Sequence, residues 1–349
     1  MLSSGMTRCL LETAMASNTP AVLKAQALVS LTPILRSSAA NQSLVSTLLV
    51  SPLVPLPLDD PESTSEQGVG YTRLSPRPAT VSLVSLAVHG EEPGSPQAWT
   101  GVGLKLRKAA VACFEAYVGG GAAGRDAAEG IVGTMKAPPE GNPNDSEEGE
   151  RPLSRQTRQR PTPTETHSFA PASACRSFYL SAEVPQTAGS LLLSALTDYP
   201  ASGPTYDPYR PLFASLLFAH LLRISETCKK LARSITIPPP GSSTPPPADD
   251  DDDDGPTGLV QVVVGNLMMA AREQTEAVNR EAREGGVDSV GEREMKGKDW
   301  TRATVGWLEC LAVWMWDSPK TVKEFLEESA NLQVVSATVP LASLAVFTS

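Results

Sequence analysis

Apolar residues in this chain recur at spacings of three and four in separate blocks, and between the blocks that rhythm gives way to stretches of proline, acid and hydroxyl residues. A period near 3.6 puts successive apolar side chains on one face of an α-helix, whereas a half-buried strand would need strict alternation. The pattern therefore predicts helices without strands. With 31 prolines and 26 glycines in 349 residues, the helices cannot be uninterrupted, and these residues must gather between them. The three longest intervals are about 58–75, 137–174 and 238–258. They bury too little apolar surface to offset the ordering of their backbone and are expected to be disordered.

The first block, Met6 to Val50, reads as three helices. The second opens at Asn18-Thr19-Pro20, where a capping side chain precedes a proline. Leu10, Ala14, Leu23, Ala27, Leu28, Leu31, Leu35, Leu44 and Leu48 carry the period. From Ser51 to Pro78 a long loop is expected. A second block, Ala79 to Met135, places Val81, Val84, Leu86 and Val88 in one helix and Leu104 to Val118 in the next, which Gly119-Gly120-Gly121 stops. After the second interval, Leu212 to Ile224 is apolar nearly all round, as suits a helix covered on more than one side. Leu259 to Glu284 is apolar in its first half and charged in its second, so its far end should meet solvent. The last block, Trp300 to Phe347, repeats helix, turn and helix, with the turn at Asp317-Ser318-Pro319.

The formal charge is -10 and the isoelectric point near 5.0, which argues against a nucleic-acid partner because phosphate binding needs clustered Lys and Arg. Part of that charge sits in one run, Asp249 to Asp254. Six consecutive carboxylates lack the alternation and turn glycine of a calcium loop and read as solvated repulsion. Cys9, Cys113, Cys175, Cys228 and Cys310 are far apart and odd in number, which suits a reducing, cytoplasmic compartment. No segment approaches ~20 unbroken apolar residues, so no membrane span is expected; membrane contact would be peripheral and indirect.

No catalytic, cofactor-binding or metal-ligating residues are expected, and the chain is read as non-enzymatic. His89, His167 and His220 lie in different segments, none at metal-ligand spacing from a second ligand. His89 ends a helix, where an imidazolium would complement the dipole, and His220 reads as a packed or partner-facing helix residue. Gly119 to Gly124 follows a helix and lacks the Gly-Lys-Ser/Thr ending of a phosphate loop, and no G-x-S-x-G elbow occurs. Trp307 and Trp314, seven residues apart, share a core face, whereas Trp316 points elsewhere. An exposed Trp316 is the candidate partner-binding residue, since aromatics dominate interface energetics.

Several segments, in order, resemble a known family. Ala25 to Ser43, with its Asn41-Gln42 pair, Pro76-Arg77-Pro78 leading into ATVSLVSLAVHG, and Leu106 to Tyr117 are three of them. Leu212 to Leu231, with central His220, and Val305 to Asn331, with its Pro-turn and Ser-Ala-Asn, are the others. Together they resemble the head region of the general vesicular transport factors, the Uso-type vesicle tethers of the Golgi. The three long intervals depart from that family's core, and Arg107-Lys108-Ala109 replaces an Arg-Cys-Ala stretch.

The resemblance implies an all-α, armadillo-like α-α superhelix, residues 1–349 forming part of a tether head. It implies a vesicle-tethering role in transport between endoplasmic reticulum and Golgi and within the Golgi, at the cytoplasmic face of Golgi membranes and vesicles, by protein–protein binding. The implied partners are Golgi tether and coat components, Rab-type GTPases and SNAREs. Dimerisation would need a coiled-coil tail, which this sequence does not contain, or a head contact. The alternative is a generic armadillo or HEAT scaffold in another cytosolic pathway.

Overall fold

The computed structural model describes residues 2–36, 38–55, 71–91, 101–135, 186–197, 207, 209–237, 257–284, 290–328, 331–336 and 338. By contact the chain divides into one unit of Met1–Lys136 with Gln186–Ser349 and another of Ala137–Pro185, which lies outside the described residues. The fold of the first is all-α.

Its helices are α1 (Leu2–Met15), α2 (Ala21–Arg36), α3 (Ala39–Thr47), α4 (Ala79–His89), α5 (Gly101–Val118) and α6 (Gly121–Gly133). They continue with α7 (Ala188–Thr197), α8 (Tyr209–Ile224), α9 (Glu226–Arg233), α10 (Leu259–Glu284), α11 (Val290–Met315) and α12 (Pro319–Glu327). Packing sorts them into triplets, because α1, α4, α7 and α10 each touch the next in that series, as do α2, α5, α8 and α11. The helix α3 packs on α6, and α6 on α9. Each triplet is thus one repeat whose apolar surface is covered by its neighbours, the organisation of a helical repeat array.

The short third helices begin with recurring chemistry. Ser38 Oγ accepts from the Asn41 N–H at the start of α3, and Ser225 Oγ from the Cys228 N–H at the start of α9, each satisfying an orphan donor of the first turn. The helix α12 opens at Ser318-Pro319, whose Ser318 Oγ lies 2.9 Å from Thr321 Oγ1. Before it, Asp317 takes φ 53, a left-handed conformation that aspartate tolerates better than most residues. At α6 the start is Gly120, where a Cβ would fall 1.7 Å from Gln42 Nε2.

Three short strand pairings depart from the loops expected between blocks. Leu49–Val50 (β1) pairs antiparallel with Arg77–Pro78 (β4), and Leu53–Pro55 (β2) with Tyr71–Arg73 (β3). Thr236–Ile237 (β5) pairs with Thr257–Gly258 (β6). The expected disordered intervals therefore include ordered backbone at 71–75, of which Tyr71–Arg73 is paired, and at 257–258, and the remainder of 58–75, 137–174 and 238–258 falls outside the described residues. The physical reason is backbone satisfaction. The Ala79 N–H donates to Leu48 O at 2.8 Å and the Leu259 N–H to Ile235 O at 3.2 Å, so the first donors of α4 and α10 are met where the interval closes.

The core runs through the second helices. Leu217, Phe218, Leu221 and Leu222 of α8 are fully buried, under cover from α4, α5, α7, α9 and α11. Against α8, Gly306 of α11 permits a close crossing, since a Cβ there would meet Ser215 Oγ at 2.6 Å. Phe218 and Trp314 meet edge to face at 5.3 Å. A buried polar node also lies here: the Arg107 guanidinium pairs with Asp207 at 2.8 Å, donates to the carbonyls of Ala87 and Val88, and stacks 4.5 Å over the Phe213 ring. It joins the end of α4 to the start of α8, where Asp207 also accepts from the Tyr209 N–H at 2.9 Å.

Candidate partner-binding face

Each second helix keeps one arc exposed or only half-buried, at spacings of three and four. In α2 the arc is Val22, Gln26, Val29 and Pro33, all exposed; in α5 it is Lys105, Lys108, Ala112 and Glu115. Leu212, Leu216, His220 and Arg223 form it in α8, and Val305, Glu309 and Ala312 in α11, with Trp316 one residue past its end. Proline is tolerated in the α2 arc because the carbonyl it leaves without a helical donor is on the wet side.

The arcs of α5, α8 and α11 meet electrostatically at His220. Arg223 of α8 pairs with Glu309 of α11 at 3.1 Å. Burial holds the His220 imidazole below its ordinary pKa, with Glu115 and Glu309 pulling up and Arg223 pushing down. Both carboxylates therefore stand close enough to act on one half-buried histidine. Among the described residues no cation pairs with Glu115.

Trp316 lies at the end of the α11 arc and is 78% exposed, whereas Trp307 and Trp314 are fully buried. Its N–H still bonds to Ala312 O at 2.9 Å, so its backbone is held although its indole faces water. Lys229 of α9 donates to the Trp316 carbonyl. The backbone of this exposed aromatic is thus fixed by a neighbouring repeat, which lowers the entropy cost of using its side chain in an interface.

The other groups weighed from sequence sit elsewhere. His89 is buried at the end of α4, and burial, then Arg210 and Arg107, push its pKa down to about 3. This corrects the expected imidazolium: the two nearby arginines and the loss of water outweigh the helix dipole. Burial raises the Cys113 thiol to about 12 and also raises those of Cys228 and Cys310, so these sulfurs are held protonated and unreactive. Cys9 is exposed, and His167 and Cys175 lie outside the described residues. Among the described residues no group of three or more His, Cys, Asp or Glu could hold a metal ion, and no described helix is long and apolar enough to cross a membrane.

Sequence reading isolates Trp316 but misses the meeting of Glu115, His220, Arg223 and Glu309. The available signal is the recurrence of polar residues three and four apart on otherwise apolar helices, which marks a solvent arc without saying which arcs adjoin.

Comparison with known proteins adds one match. The family profile of the head region of Uso1/p115-like vesicle tethering proteins covers residues 39–343. No curated protein matches the chain.

Proposed function

Because the chain belongs to the Uso1/p115-like vesicle tethering family, matching its head region over most of its length, we propose that it serves ER-to-Golgi and intra-Golgi transport as a non-enzymatic, protein-binding head. The family match carries this reading. An array of helical repeats with an open face and an exposed Trp316 supports it, since such faces suit extended protein contacts. In this reading the chain works in the cytoplasm at Golgi membranes and transport vesicles. Its partners are drawn from Golgi tether and coat components, Rab-type GTPases and SNAREs, and its membrane contact is made through them.

The test is acute depletion of the protein in its own cells with a synchronised secretory cargo. Delayed arrival of cargo at the Golgi, reversed by the wild-type chain, is the expected result. Normal cargo kinetics with undetectable protein would overturn the proposal.

A further inference from the structure

We draw no further inference here: the strongest candidate, the surface patch shared by α5, α8 and α11 with the exposed Trp316 beside it, carries nothing because Glu115 stands on the same arc as the exposed Lys105 and Lys108 and nothing in the structure shows what covers it.

Discussion

Gln42 and Lys229 occupy the same position in two repeats, four residues past a capping serine, and each donates to a carbonyl at the end of the next repeat's second helix. For Gln42 the acceptor is Ala116 O at 3.2 Å, with a further bond to Leu35 O at 3.1 Å; for Lys229 it is Trp316 O. The last carbonyls of a helix lack internal donors. Here they are met by the adjoining repeat, so the polar bonds that finish one helix also fix the junction.

Gln42→Met should therefore destabilise the chain by about 1–3 kcal/mol, because both buried acceptors lose a donor while side-chain volume is nearly kept. Gly120→Ala should also be harmful, given the 1.7 Å approach to Gln42 Nε2, but less so when combined with Gln42→Ala. Denaturant unfolding of Gln42→Ala, Gly120→Ala and their double checks this; strict additivity would mean that the two sites do not share one space.

Stability should fall with acid through His89. Its folded pKa lies at about 3, below the ordinary 6.5, so on acidification the unfolded chain takes up this proton first. The contribution is fully present above 6.5 and is lost as pH falls from there toward 3, at up to about 1.4 kcal/mol per unit. Between pH 6.5 and about 5 that amounts to roughly 2 kcal/mol. His89→Asn should flatten the slope of unfolding free energy against pH over that window, and an unchanged slope would contradict the assignment.

Arg107→Met should cost about 3–5 kcal/mol, since the Asp207 carboxylate and the carbonyls of Ala87 and Val88 would remain buried without their cation. The double variant Arg107→Met with Asp207→Asn should recover part of that loss. Thermal and denaturant unfolding of both would show it.

The two tryptophans at the end of α11, Trp314 within it and Trp316 just past it, offer a contrast. Trp314→Ala should destabilise by about 3–5 kcal/mol through the cavity beside Phe218, whereas Trp316→Ala should stay within about 0.5 kcal/mol. Leu217→Ala and Leu221→Ala should each cost about 2–5 kcal/mol in the same assay.

The helices are legible where the apolar period is strong and bounded by capping or glycine signals, as at Ser318-Pro319 and after Val118. What cannot be read is non-local. The two-residue ladder of Val50 with Arg77 has no alternation to betray it and depends on bonds between residues far apart in sequence. His89 reads as a capping cation because its chain neighbours say nothing of Arg107 and Arg210, which come from α5 and α8. The exposed indole of Trp316 is readable from helix phase alone. The carboxylate of Glu115 gains its meaning only from two helices that arrive about 100 residues or more later.

The three long intervals, beginning after α3, α6 and α9, all fall at one kind of junction, between the third helix of a repeat and the first helix of the next. Closing the last of them, by joining Ile237 to Thr257 through an Asn-Gly turn in place of 238–256, should preserve helicity and cooperative unfolding, because β5 and β6 already stand in antiparallel register. Circular dichroism across a melt checks it. The same junction is where length can be added as readily as removed, since a longer excursion costs only the logarithm of its size and leaves every helix in phase. Lineages can therefore acquire new sequence at a rate of one cassette per repeat without renegotiating the core, and an engineer can place a reporter there on the same terms.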